Sequence, residues 1–185
     1  MHNNRNTAGD RIYLAAPLFN DQERSFNCLL ASVLESSFSV YLPQRDGTLI
    51  PGQDLSESSF ERAAAMVYMN DVFAMREADA ILCVLDGRTI DEGVAFELGY
   101  AKALGKVCYG FYTDSRVLLP YGINPMISRS MDKMFYSLDE LSRWVHLGKS
   151  AIETPGNATG PAGRCAGRKP ATENQRREKK KSGRR

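Results

Sequence analysis

Histidine is nearly absent from this chain. Its 185 residues contain two, His2 in the polar start and His146 near the end of a predicted helix. A histidine-based catalytic triad and a histidine metal site therefore have almost nothing to be built from. Cysteine is sparse and scattered: Cys28, Cys83, Cys108 and Cys165 include no closely spaced pair of the kind that holds zinc. The first three fall in apolar segments and are expected as buried free thiols in a reducing compartment. No apolar run approaches the ~20 residues needed to span a bilayer. The first ten residues, MHNNRNTAGD, lack the apolar core of a signal peptide. The chain is thus expected to be cytoplasmic, and its acid–base or nucleophilic chemistry must rest on carboxylates.

What is present is unevenly distributed. Residues 1–150 carry 14 Lys+Arg against 19 Asp+Glu, whereas residues 151–185 carry 10 against 3. The net charge of +2 describes neither part. The part that can fold is acidic, which argues against nucleic acid as its partner. From residue 151 onward large apolar side chains almost vanish, so too little surface can be buried to offset ordering entropy. The expected organisation is a flexible start (1–10), one domain (11–150) and a disordered basic tail (151–185). The RREKKKSGRR end reads as a solvated tail before it reads as a polyanion-binding or targeting patch.

Within the domain, RIYLA at 11–15 predicts a short buried strand. Residues 22–36 carry apolar positions at 26, 29, 30, 33 and 34, which is helical spacing. SVYLP at 39–43 predicts a strand stopped by Pro43, and QRDGTLIPGQDL at 44–55 a loop. Serines then open a long helix running to about Glu77. AILCVL at 80–85 has the length and continuous apolarity of a central parallel strand. Residues 94–105 predict a helix with Asp91 as a possible cap and Gly105 at its end. VCYGFY, KMFYS and LDELSRWVHLG supply two more strands and a terminal amphipathic helix. This alternation predicts an α/β domain with a mainly parallel sheet, whose ligands bind beyond the carboxyl ends of the strands.

Glu97 stands out. Its helix, VAFELGYA, is apolar nearly all round and so predicted to be buried, where a carboxylate must be paired, hydrogen-bonded or functional. Asp91 and Glu92 open the same helix, although one of them can be an ordinary cap. Asn70 and Asp71 interrupt a second apolar helical stretch. Asp79 and Asp86 flank the central strand and read as turn residues. Tyr13 in the first strand needs a partner for its hydroxyl if buried. Two or three carboxylates with a tyrosine suggest chemistry at an acetal-type carbon, with one carboxylate as nucleophile and another handling protons.

IYLAAPLF at 12–19, the ND at 70–71, ADAILCVLDGRTIDEGVAFELGYAKALGK at 78–106 and NPMI at 124–127 together resemble the nucleoside 2-deoxyribosyltransferase family. The resemblance spans about residues 11–147. It implies a flavodoxin-like, doubly wound fold with a mainly parallel five-stranded sheet, and transfer of 2-deoxyribose between nucleobases without a cofactor or metal. Glu97 matches the family's nucleophile, Asp71 and Asp91 its other active-site carboxylates, and Tyr13 a tyrosine bonded to the nucleophile. Asp91 is favoured for proton transfer and Asp71 for positioning, with the division between them left open. Phe19 matches an aromatic that packs on the base, and Gln44 lies where a base-recognising residue could sit. Asn124 matches a residue reaching a neighbouring subunit's sugar, with Met126 beside it, which implies a homo-oligomer. Deoxynucleosides and free nucleobases would be the substrates.

Two rival readings share this fold. A 2-deoxynucleoside 5′-monophosphate N-glycosidase would use the same nucleophile with water as acceptor. Here, however, the first loop is APLFNDQER, with Asp21 and Glu23 and only Arg24 basic, a poor seat for a phosphate dianion. A non-catalytic nucleotide-binding module would need the sheet but not Glu97.

Overall fold

A computed structural model describes residues 11–48, 56–114, 116 and 123–147. The expected flexible start and basic tail, with Cys165, lie outside the described residues. In chain order the elements are β1 (Arg11–Ala15), α1 (Asp21–Leu34), β2 (Ser39–Tyr41), α2 (Pro43–Asp46), α3 (Glu57–Glu77), β3 (Ala80–Val84), α4 (Glu92–Ala103), β4 (Val107–Phe111), α5 (Pro125–Ser128), β5 (Lys133–Phe135) and α6 (Leu138–His146).

The five strands form one sheet in the order β2-β1-β3-β4-β5, with every pairing parallel. This is the flavodoxin-like order. The chain steps from β1 outward to β2, then returns to build β3, β4 and β5 on the other side. The switch point, where such sheets bind ligands, lies between β1 and β3.

Period-2 alternation divides the core. Ile12, Leu14, Leu82, Val84, Tyr109 and Phe111 join α1 and α6 on one face. Tyr13, Ala15, Ile81, Cys83 and Cys108 join α3 and α4 on the other. β3 and β4 are buried along their whole length, as their continuous apolar runs require. Gly105 adopts φ +73°, the left-handed conformation that ends α4, and Lys106 N–H returns to Ala101 O at 3.0 Å.

Several sequence expectations are corrected. Pro43 does not simply stop β2; it opens a four-residue helical turn, because its fixed φ and missing N–H suit the first helical position. Asn124 and Pro125 start a second such turn between β4 and β5. On α1 the buried positions are Asn27, Leu30, Ala31 and Leu34, while Leu29 is exposed. The buried stripe is therefore rotated from the one the apolar residues alone suggested. Cys28 is exposed, unlike buried Cys83 and Cys108, because it lies beside rather than on that stripe. Nor is α4 covered all round: Val94, Leu98 and Ala101 face the sheet, but Phe96 is 51% exposed.

α6 closes the α1 face through Leu141, Trp144 and Val145. Trp144 packs on Phe38, Tyr109 and Phe135 with ring centroids at 5.3, 4.9 and 5.1 Å. Replacing Trp144 with Ala should destabilise the fold by about 3–5 kcal/mol, the usual cost of deleting a large buried aromatic. Chemical denaturation followed by circular dichroism measures it; a loss below ~1 kcal/mol would mean that α6 does not close this core.

Candidate active site

The site begins with strand register. Tyr13 of β1 pairs in parallel with Tyr41 of β2, so both side chains leave the same face of the sheet. Their rings stack at 5.5 Å with 17° between planes. Tyr13 is fully buried, and a buried phenol needs an acceptor. It donates to Glu97 Oε1 at 2.5 Å, a short bond between a hydroxyl and a carboxylate. Burial and the neighbouring carboxylates push the Tyr13 hydroxyl far above its ordinary pKa, so it remains a donor.

Glu97 lies in the second turn of α4. Asp91 caps that helix through a bond from Val94 N–H to its Oδ1 at 3.1 Å, which fixes how α4 rises from the end of β3. Burial raises the Glu97 carboxyl to about 7, the bond from Tyr13 opposes this, and the charges of Asp71 and Asp91 add to it. Asp71 faces it from α3. Burial raises Asp71 to about 6, opposed by the Tyr41 hydroxyl, which approaches Asp71 Oδ1 at 3.5 Å.

Glu97 and Asp71 open into a cleft of about 280 Å³ whose other walls include Val67, Tyr68, Met75 and Phe96. Among the described residues that line it, none is cationic. Two carboxylates with different environments in a mostly apolar cleft can divide nucleophile and proton carrier between them. A larger cleft of about 480 Å³ runs along β2 past Arg11, Arg45 and Glu77, but does not include Glu97. Among the described residues no group of three or more His, Cys, Asp or Glu side chains is arranged to hold a metal.

The remaining sequence candidates are placed differently. Asp91 is the helix cap and does not line the cleft. Phe19 projects from the loop after β1, 74% exposed, with its N–H held by Glu23 Oε2 at 2.8 Å. Gln44 is drawn into the α1–α2 junction: its amide donates to Arg24 O at 2.9 Å and accepts from Asn27 at 2.9 Å. Asn124 caps α5 through Met126 N–H at 2.9 Å, and Met126 is 78% exposed. Neither Asn124 nor Met126 lines the carboxylate cleft of its own chain. Asp79 and Asp86 behave as turn residues, Asp79 accepting from Arg11 N–H and Asp86 from Thr113 and Asp114.

Sequence reasoning missed Tyr41 and Asn27. Asn27 is buried and donates to Pro17 O at 2.8 Å, anchoring the loop that carries Phe19. A lone polar residue in line with Leu30, Ala31 and Leu34 was the available signal. For Tyr41 the signal was its position opposite Tyr13, which needs the strand register.

Comparison with known proteins bears on this geometry. A family model described as nucleoside 2-deoxyribosyltransferase matches residues 12–168. The chain belongs to the nucleoside 2-deoxyribosyltransferase family. Among solved structures, a conserved protein from Enterococcus faecalis V583 shares the fold at 24% identity and TM-score 0.61, over 76% of this chain and 99% of that one. A 2-deoxyribosyltransferase from Bacillus psychrosaccharolyticus is 26% identical with TM-score 0.59, over 71% of this chain and 90% of that one. No curated protein matches the sequence significantly.

This family member carries its candidate nucleophile at a cost in stability. A Glu97 carboxyl raised from 4.5 to about 7 binds its proton more tightly folded than unfolded, so stability falls as pH climbs through that window. Glu97→Gln, which can still accept from Tyr13, should be more stable than the parent at pH 8 by about 1–2 kcal/mol. The difference should fade toward pH 4.5. Thermal melts across pH test this, and a variant less stable at pH 8 would contradict it.

Proposed function

We propose that this protein transfers 2-deoxyribose between nucleobases through a covalent ester on Glu97. The observation that carries the reading is Glu97 held by the buried Tyr13 hydroxyl at 2.5 Å, in one apolar cleft with Asp71. Ionised Glu97 attacks C1′ of a deoxynucleoside, the C1′–N bond breaks, and the departing base takes a proton. A second base then attacks C1′, loses a proton and releases Glu97. Two inversions give net retention, and kinetics are ping-pong. The transition state resembles an oxocarbenium ion, which an adjacent carboxylate stabilises most in a cleft without competing cations. Asp71 suits the proton role better than Asp91, since it lines the cleft with Glu97.

The first loop supports a free nucleoside over a nucleotide. Its Arg24 guanidinium is already committed to Leu18 O at 2.9 Å and to Asp21 at 2.5 Å. That leaves the loop without an uncommitted cation for a phosphate.

A homo-oligomer is part of this reading. Phe60, Met66, Tyr68, Met69 and Phe73 of α3 and Phe96 of α4 are exposed in the single chain, apolar side chains that a second copy would cover. Asn124 and Met126 lie outside their own chain's cleft on the exposed α5 turn, and in this reading they complete a neighbour's. Mixing inactive Glu97→Ala with impaired Asn124→Ala should then restore part of the activity, because some shared sites receive both native residues. No recovery on mixing would remove Asn124 from a neighbouring site.

The direct test is product analysis of a deoxynucleoside incubated with and without a second base. Exchange that needs the acceptor, and that falls at least ~10³-fold in Glu97→Ala, is expected. Hydrolysis of a deoxynucleoside monophosphate without base exchange would favour the N-glycosidase alternative. Full activity in Glu97→Ala would end both.

A further inference from the structure

We infer that Tyr41 is a positioning residue for Asp71, forming with Tyr13 a stacked pair of phenols that orients the two carboxylates separately. This rests on the proposed transfer reaction. The geometry follows from register: β1 and β2 are parallel neighbours with Tyr13 opposite Tyr41, so one face carries both rings. Tyr13 points its hydroxyl at Glu97 on α4 and Tyr41 points its own at Asp71 on α3. The two carboxylates come from different helices, and the two phenols from adjacent strands of a rigid sheet. The sheet thereby sets where both acids stand relative to each other.

The end of the α2 turn lies close against the Tyr41 hydroxyl. A side chain at Gly47 would stand 3.1 Å from the Tyr41 oxygen and 2.6 Å from Pro43 O, so this approach requires glycine there. Nearby, Asn70 donates to Thr48 Oγ1 at 2.6 Å, tying that turn to the stretch of α3 that carries Asp71.

The function of such a contact is orientation and charge control. At 3.5 Å the bond is long, and contacts of this kind tighten when a ligand closes the site. With Tyr41 donating to Oδ1, the other Asp71 oxygen is left to give or take the proton of the base. The titrating groups around Asp71 are Tyr41 from β2, Tyr13 from β1 and Glu97 from α4; Asp46 of α2 acts on Tyr41, and Asp91 acts on Glu97. Burial favours the neutral acid, and the Tyr41 hydroxyl is the donor that opposes it. Removing the hydroxyl should therefore raise the Asp71 pKa.

The test is Tyr41→Phe, which keeps the stacked ring and removes only the oxygen. Two measurements decide it: carboxyl NMR titration of Asp71, and the pH profile of kcat/KM for base exchange. The Asp71 midpoint should rise by about half a pH unit or more, and the pH profile should move upward with it. At pH 6 kcat should fall ~3–10-fold with KM within about twofold, as expected for lost orientation rather than lost binding. Tyr41→Leu, which also removes the stack on Tyr13, should show the same midpoint shift with a larger loss of kcat. An unchanged Asp71 midpoint in both variants would overturn the inference. If the parent protein exchanges no bases, the functional reading fails, and the NMR midpoint alone still decides the role of Tyr41.

Discussion

One contact organises this molecule: the buried Tyr13 hydroxyl donating to Glu97. A phenol at the centre of a parallel sheet has no water to turn to, and a carboxylate on a helix packed against that sheet has little. Each satisfies the other. The contact crosses between elements distant in sequence, from β1 to α4, so it forms only when the sheet order is right. Several of the segments that carry the family resemblance meet at this place: IYLA supplies the strand and the phenol, ND the second acid, and D-E-G-V-A-F-E the cap and Glu97.

The rest of the architecture supports that arrangement. α4 must enter at a fixed angle for Glu97 to reach Tyr13, and the Asp91 cap after the loop through Gly87 sets that angle. α3 must lie alongside for Asp71 to share the cleft. On the opposite face, α6 seals the sheet with Trp144. The faces are therefore unequal: one is closed by aromatic packing, and the other keeps raised carboxylates and exposed apolar helix surface. Glu97 and Asp71 are held in an environment that disfavours their charges. That is a cost to the fold, and in the proposed transfer it suits groups that would face a cationic transition state.

Much of this was legible in the sequence. RIYLA read as a short buried strand, the unbroken AILCVL run as a central parallel strand and VCYGFY as the next one, and Glu97 stood out as a carboxylate in an apolar helix. What was not legible required register or rotation. Tyr41 matters because it lies opposite Tyr13, and no local pattern states which strand pairs with which. The buried stripe of α1 includes Asn27, so counting only apolar residues misplaced it by part of a turn. Gln44 entered as a base-recognising candidate through the family resemblance, and the helical turn that Pro43 starts, which no local pattern announced, brings its amide to Asn27 and Arg24. Asn124 and Met126 lie outside the cleft of their own chain, and whether they serve a second chain depends on assembly.

The most direct measurement is mass spectrometry of the protein mixed with a deoxynucleoside, quenched in acid before an acceptor base is added, and digested. A 2-deoxyribosyl group attached to the peptide that contains Glu97, lost again when a base is supplied before quenching, is the predicted result. Rapid release of free base from the deoxynucleoside with no such adduct, or with an adduct on another residue, would contradict the role given to Glu97.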